Sequence, residues 1–249
     1  MKVSIITVCY NAEKTIADAI HSVLSQDYPH IEYIVVDGNS KDGTVEIVQS
    51  FGGRISKFIS EPDRGIYDAM NKGISMASGD VVGILNSDDL YENPWVISHV
   101  VDLFKTSLSD AVYGDLNYVD DEDIKQVKRR WKSGDYERGN FLEGWMPPHP
   151  TFFVKREMYS RFGGFNTTLQ FAADYELMLR FLYKEQISCA YLPMNLIKMR
   201  MGGASNSSIK NRIQANKEDR KAWKLNGLSP RWYTLYKKPI SKMGQFFKK

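Results

Sequence analysis

The first half of the chain alternates between two hydrophobic periods. Runs of mostly β-branched residues, which predict buried strands, occupy Val3–Val8, Ile31–Val36, Ile55–Ser60 and Val81–Leu85. The segments between these runs carry apolar residues at the three- and four-residue spacing of a helix. This alternation predicts βαβ units, and therefore an α/β fold with a mainly parallel central sheet flanked by helices.

The second half has a less regular pattern. Ala111–Tyr118, Thr151–Val154 and Cys189–Leu192 are strand-like, and Ala172–Glu176 opens a segment of helical period. Residues 120–130 are strongly charged, so we expect them to be exposed.

Three predicted strands end in acid-bearing loops, at Asp37, at Glu61–Arg64 and at Asp88-Asp89. Ligands of open α/β sheets bind beyond the carboxyl ends of the strands, so these loops are expected to line one cleft. Two adjacent carboxylates suit a divalent metal, Mn²⁺ or Mg²⁺, that holds phosphate. The alternative is that Asp88 and Asp89 only stabilise a turn.

The chain contains neither of the common glycine-rich phosphate loops. No G-x-G-x-x-G follows the first strand and no G-x-x-x-x-G-K-[ST] occurs. Phosphate must therefore be held by a metal and by side chains.

Other residues are candidates for substrate contact, each with a structural alternative. Asp37 and Tyr10 could meet a nucleoside, or could be a helix cap and a packed aromatic. Asp174, with Glu176 in reserve, could be a general base for an acceptor hydroxyl, or could serve the helix dipole. His149, in a loop with three prolines, could touch phosphate or acceptor, or could be structural.

Charge is distributed unevenly along the chain. Residues 205–249 contain twelve of the 33 basic residues and two of the 30 acidic residues. This leaves a net charge of −7 on residues 1–204. We therefore predict a main domain over 1–204, in which the regular first half covers about 1–115 and the less regular second half about 116–204. Residues 205–249 would form a basic helical extension.

The end of this extension interleaves aromatic residues with lysines, as in Trp232, Tyr233, Phe246 and Phe247. This composition suits an amphipathic segment on an anionic membrane surface. The alternatives are a basic face packed on the body, and nucleic-acid binding, which the acidic body would oppose. The chain has no run of 18 apolar residues and starts directly with a strand, so we expect a cytoplasmic protein, peripheral on the membrane.

Several motifs, in order, resemble family 2 glycosyltransferases with the GT-A fold, over roughly residues 3–185. The motifs that carry the resemblance are Val3–Asn11, Ser22–Gln26, Val35–Thr44, Gly65–Asn71, Ala77–Asp80, Leu85–Asp89 and Ala173–Glu176. Within the family, the pattern looks most like bacterial enzymes that build surface polysaccharide on a lipid-linked acceptor.

The resemblance implies an inverting transfer of a sugar from a nucleoside-diphosphate donor, most simply a UDP-sugar. It makes residues 1–115 the nucleotide-sugar half and residues 116–204 the acceptor half. It places the metal at Asp88-Asp89 and makes Asp174 the base. The nucleotide-sugar contacts that it implies, together with side chains that could neutralise the leaving diphosphate, are Thr7, Tyr10, Asn11, Asp37, Arg64, Lys72, Asp88 and His149.

Two positions depart from the family pattern. Asn86 stands where many members carry the first acid of the metal motif, and Gly38 where many carry a second acid after Asp37. Asn86 motivates the alternative function, a non-catalytic module that binds nucleotide sugar or polysaccharide.

Overall fold

The computed structural model describes residues 1–202, 209–235 and 237. Nine strands form one sheet within these residues. The strands are β1 (Val3–Cys9), β2 (Ile31–Asp37), β3 (Lys57–Ser60), β4 (Val81–Asn86), β5 (Leu90–Tyr91), β6 (Ala111–Val119), β7 (Val127–Trp131), β8 (Phe153–Lys155) and β9 (Cys189–Arg200).

The helices cover both faces of this sheet. They are α1 (Ile16–Leu24), α2 (Thr44–Ser50), α3 (Ile66–Met76), α4 (Val96–Ser107), α5 (Arg156–Phe162), α6 (Ala173–Met178) and α7 (Ile209–Leu225). Helix α6 continues as a π-helical segment, Leu179–Lys184, and short 3₁₀ helices lie at Gly52–Arg54, Arg138–Glu143 and His149–Thr151.

The first half of the sheet is parallel, in the order β3-β2-β1-β4. All seven residues of β1 are buried, because helices cover both of its faces. Neighbouring residues Ile5 and Ile6 enter two different core clusters, one on each face of the sheet. The predicted α/β architecture is confirmed.

The second half is mixed. Strand β8 pairs antiparallel with both β4 and β6, β6 pairs parallel with β9, and β5 pairs antiparallel with β9. Strand β7 lies in the charged segment for which the sequence predicted no strand. It pairs with β6 alone, and three of its five residues are exposed, so its charges have the pattern of an edge strand.

The first helix of the basic extension packs on the body. Trp223 of α7 is fully buried, and its indole N–H donates to the hydroxyl of Tyr175 in α6 at 2.9 Å. Further on, Thr234 and Leu235 are buried, whereas Trp232 is 84% exposed. Trp223, Thr234 and Leu235 therefore pack on the body, as the packed alternative has it, whereas Trp232 does not. The 204/205 boundary and residues 238–249, including Phe246 and Phe247, lie outside the described residues.

In the part of the chain that the structure describes, no helix is both long and apolar enough to span a bilayer.

Candidate active site

A cleft of about 470 Å³ opens at the carboxyl ends of β1 and β4. Helix α3, the segment before α6 and the end of β9 complete its walls, so both halves of the chain contribute. Its lining residues are Val8, Cys9, Tyr10, Asp63, Gly65, Ile66, Tyr67, Ala69, Asn86, Ser87, Asp88, Gln170, Phe171, Asp174 and Met199.

Three of the predicted site residues line this cleft, namely Tyr10, Asp88 and Asp174. They lie on three separate segments, and the acids are 86 positions apart in the chain. Tyr10 is 63% exposed, so its ring is free to meet a ligand and is not the packed aromatic of the alternative interpretation.

The acidic pair divides between the cleft and the layer beneath it. Asp88 lines the cleft, and burial raises the pKa of its carboxyl. Asp89 is only 1% exposed and does not line the cleft. Burial, and then the charge of Asp88, raise the pKa of Asp89 well above its ordinary value. The expectation that both acids face one ligand is therefore not met by this arrangement.

Asn86 connects the buried Asp89 to the cleft. Its side-chain amide donates to Asp89 Oδ2 at 3.0 Å, while Asn86 Oδ1 and Asp89 Oδ1 are buried without a hydrogen-bond partner. Asn86 itself lines the cleft beside Asp88. Asp89 thus orients Asn86 from below.

These oxygens fit a hard divalent cation. Asp88 and Asn86 offer carboxylate and amide oxygens, the ligand types that Mg²⁺ and Mn²⁺ accept, and an unpartnered buried oxygen gains from a cation. Among the described residues, no group of three or more His, Cys, Asp or Glu side chains forms a closed metal cage.

Asp37 is fully buried and does not line the cleft. Its carboxylate accepts hydrogen bonds from the Ser40 N–H at 3.0 Å, the Ser40 hydroxyl and the Ser60 hydroxyl at 2.6 Å. It therefore ties the loop after β2 to the end of β3, which differs from the helix cap of the alternative interpretation. A nucleotide contact from Asp37 stays a prediction and would need these hydroxyls to move.

Asp63 is a cleft residue that the sequence did not single out. A Cβ atom added at Gly38 would overlap its Oδ2, so the missing side chain at Gly38 makes room for Asp63. The Gly65 N–H donates to Asp63 Oδ1 at 2.8 Å and holds it. An acid therefore lies beside Asp37 although position 38 itself carries none. The glycine at a position where many family members carry an acid is the sequence feature that could have indicated this.

Thr7 and Asn11 flank the cleft without lining it. Thr7 is fully buried, and its hydroxyl oxygen accepts from the Tyr33 hydroxyl at 3.0 Å. Asn11 is exposed and joins two loops, since its Oδ1 accepts from the Lys41 N–H at 2.9 Å. Thr7 therefore lies in the protein interior next to the cleft, and Asn11 lies on the surface at its edge.

Arg64 and Lys72 have partners outside the cleft. Arg64 pairs with Asp68 at 2.9 Å with 80% of its side chain exposed, and Lys72 pairs with Glu61 at 2.8 Å. Neither lines the cleft as it stands, so a contact with diphosphate would require each to leave its pair.

Asp174 is the second residue of α6. The helix begins after Ala172 with no side-chain cap, so Asp174 does not cap it. The loop before α6 is held from α7 instead. Glu218 Oε2 accepts from the backbone N–H groups of Phe171 at 2.7 Å and Ala172 at 3.2 Å. The reserve base, Glu176, is buried and paired with Arg180 at 3.0 Å, so it is not available.

His149 lies behind the cleft. Its ring meets the Phe165 ring edge-on with centroids 5.5 Å apart. Burial lowers the pKa of His149. The negative charge of nearby Asp174 acts in the opposite direction, because it favours the protonated form. Burial therefore favours the neutral imidazole, which lies near the candidate base without lining the cleft.

The family model described as glycosyl transferase family 2 matches residues 4–163. The chain belongs to this family. It is 31% identical over 180 residues to an uncharacterized glycosyltransferase of Mycobacterium tuberculosis, with 72% of this chain and 68% of the relative covered. It is also 43% identical over 93 residues to a putative teichuronic acid biosynthesis glycosyltransferase of Bacillus subtilis, TuaG, with 36% and 37% covered.

Solved structures show the same fold. TarS of S. aureus superposes with a TM-score of 0.72 at 19% identity, over 96% of this chain and 71% of TarS. The mannosyltransferase PcManGT of Pyrobaculum calidifontis, solved with GDP-Man and Mn²⁺, gives a TM-score of 0.67 at 19% identity, over 98% and 69%. The GT-A fold implied by the sequence motifs is thus confirmed.

Proposed function

We propose that this protein is an inverting, metal-dependent transferase that moves a hexosyl or N-acetylhexosaminyl group from a nucleoside-diphosphate sugar to a saccharide hydroxyl. One observation carries the proposal. Asn86, Asp88 and Asp174 line one cleft in a chain of this family. One side offers cation ligands and the other an acceptor for a proton.

Asp88 and Asn86 would hold Mn²⁺ or Mg²⁺ together with donor phosphate oxygens. When bound, the cation supplies positive charge where the diphosphate leaves, the point of largest charge development. TarS has been solved with UDP and with UDP-GlcNAc, and PcManGT with GDP-Man and Mn²⁺. These likenesses support a nucleotide sugar, and we take a UDP-sugar as the first donor to test.

Asp174 would take the proton of the acceptor hydroxyl. A base on the side of the anomeric carbon opposite the diphosphate gives direct displacement, and hence inversion. The exposed ring of Tyr10, at the end of β1, is available to stack on the base or the sugar.

We take the acceptor to be a lipid-linked saccharide in polysaccharide biosynthesis. The likeness to TuaG supports this class. The exposed indole of Trp232, followed by a lysine-rich end, supports attachment to an anionic membrane surface. Removing residues 238–249 should then weaken binding to vesicles that contain anionic lipid, and unchanged binding would contradict the membrane proposal.

The test of the base is Asp174→Asn. Transfer from a labelled donor should fall by about a thousandfold or more, because the amide cannot accept the proton. Nucleotide binding, followed as the rise in melting temperature with UDP and Mn²⁺, should be retained. Asp102→Asn, on an exposed acid of α4, is the control and should transfer normally.

A normal rate for Asp174→Asn would remove Asp174 from this role. A wild-type protein that binds nucleotide sugars but neither transfers the sugar nor slowly hydrolyses the donor with Mn²⁺ would favour the non-catalytic binding module.

A further inference from the structure

Tyr67 connects the first half of the chain directly to the candidate base. Its side chain lines the cleft, and its hydroxyl donates to Asp174 Oδ1 at 3.2 Å, across 107 positions of sequence. Burial, and then the charge of Asp174, raise the pKa of Tyr67 well above its ordinary value. The phenol therefore stays protonated and serves as a hydrogen-bond donor.

The ring of Tyr67 is held in place by a second contact. It stacks on Phe165 with centroids 5.5 Å apart and an interplanar angle of 23°. Asn71, one turn further along α3, fixes the backbone of Phe165. Its side-chain N–H donates to the Phe165 carbonyl at 2.9 Å, and its Oδ1 accepts from the Phe165 N–H at 2.8 Å. Residues four apart on a helix share a face, so α3 holds both rings.

Helix α3 packs closely on the sheet. A Cβ atom at Gly73 would overlap the side chain of Ile6 in β1, so helix and sheet pack without room for a shift. The position of Tyr67 relative to the floor of the cleft is thus set by the sheet that also carries Asp88.

We propose that Tyr67 is the positioning residue for the base. It rests on the proposed function, in which Asp174 accepts the proton. With Oδ1 held by the phenol, Oδ2 is left to take the proton of the acceptor hydroxyl. The acceptor oxygen then forms its bond to the anomeric carbon, the bond from that carbon to the phosphate oxygen breaks, and the electron pair leaves with the diphosphate.

Two further titratable groups lie close to this pair. His149 faces Asp174 from the His149–Thr151 segment, and Glu218 of α7 adds negative charge near Tyr67. The neutral His149 changes charge only in acid. Glu218 keeps its two backbone N–H partners whether or not the phenol is present.

The test is Tyr67→Phe, which removes one oxygen and keeps the stacked ring. We expect kcat to fall about tenfold, the usual effect of losing one hydrogen bond to a charged group. The KM for the donor should stay close to the wild-type value, since the role proposed for the phenol is at the base. The rise in melting temperature with UDP and Mn²⁺ should be unchanged.

The matched control is Tyr136→Phe. Its hydroxyl donates to the Leu182 carbonyl at 3.0 Å and lies outside the cleft lining. It should change the melting temperature as much as Tyr67→Phe does, with kcat and the KM for the donor unchanged. Equal effects of both variants on kcat would show a general loss of stability and overturn the proposal.

A double-mutant cycle separates this inference from the proposed function. If Tyr67 acts through Asp174, adding Tyr67→Phe to Asp174→Asn should change the residual rate less than twofold. A normal rate for Asp174→Asn alone means that the proposed function fails. A loss with Asp174→Asn, combined with a wild-type kcat for Tyr67→Phe, means that the inference alone fails.

Discussion

Asp88 and Asp174, two of the acids that line the cleft, are delivered in different ways. Asp88 follows β4 by two residues, so the parallel sheet alone carries it to the carboxyl edge. Asp174 stands at the start of a six-residue helix and is oriented by contacts from far along the chain, from Tyr67 in α3 and Glu218 in α7. The donor side of the site is local in sequence, whereas the base side is assembled by packing between distant elements.

The strongest way to break the base side is to detach α7. Trp223→Ala removes a fully buried indole and its hydrogen bond to Tyr175, and should cost about 4 kcal/mol of unfolding free energy. Urea denaturation measures this. Trp232→Ala, at an 84% exposed position, is the control and should change stability by less than about 0.5 kcal/mol. Equal effects would contradict the packing of α7 on the body.

The first half offers a matching test through Glu32. Its buried carboxylate accepts from the Ser4 hydroxyl at 2.6 Å and the Ser78 N–H at 2.8 Å, and pairs with Lys57 at 3.1 Å. Burial alone would raise the pKa of Glu32, but these hydrogen bonds outweigh it and hold the pKa well below the ordinary value.

Glu32→Gln should therefore cost about 3 kcal/mol at pH 7. A depressed pKa stabilises the fold above the unfolded value, about 4.3, and this contribution is lost as the pH falls below it. The wild type should accordingly lose stability between about pH 5 and pH 3 more steeply than the variant. Parallel curves for the two proteins would show that Glu32 is not held as the structure has it.

The difference between a local donor side and an assembled base side explains which features could be predicted from the sequence. The strands of the first half, the Asp88 loop and the burial of the sheet follow from local hydrophobic period and turn residues. Tyr10 at the end of β1 follows from the same reasoning. The burial of Asp89 beneath Asn86 could not be predicted, because adjacent acids at a strand end give no sign of which one turns inward.

Contacts between residues far apart in the chain could not be predicted from the sequence. The support of Asp174 by Tyr67 depends on how α3 and α6 meet, and the capture of the loop before α6 by Glu218 depends on the path of α7. Strand β7 was missed for another reason, since an edge strand with charged side chains lacks the alternation of a half-buried strand.

Asp88→Asn tests the local, donor side. Loss of the carboxylate should weaken cation binding at the diphosphate and lower kcat/KM by about a hundredfold, or about 2.7 kcal/mol. The rise in melting temperature with UDP and Mn²⁺ should shrink towards its value without metal. Melting temperature in the absence of ligand should stay close to that of the wild type, since Asp88 lines the cleft. Metal-independent activity in the wild type would contradict this assignment.

Glu218→Gln is the finer test of the assembled, base side. The neutral amide can still accept one hydrogen bond, but it holds the Phe171 and Ala172 N–H groups less strongly than a carboxylate does. We expect kcat to fall about tenfold, or about 1.4 kcal/mol, because Asp174 loses orientation relative to Tyr67. Binding of UDP and Mn²⁺ at Asp88 should be unaffected. If nucleotide binding fell instead and kcat stayed normal, α7 would support the donor side, and the division between a local and an assembled half of the site would be wrong.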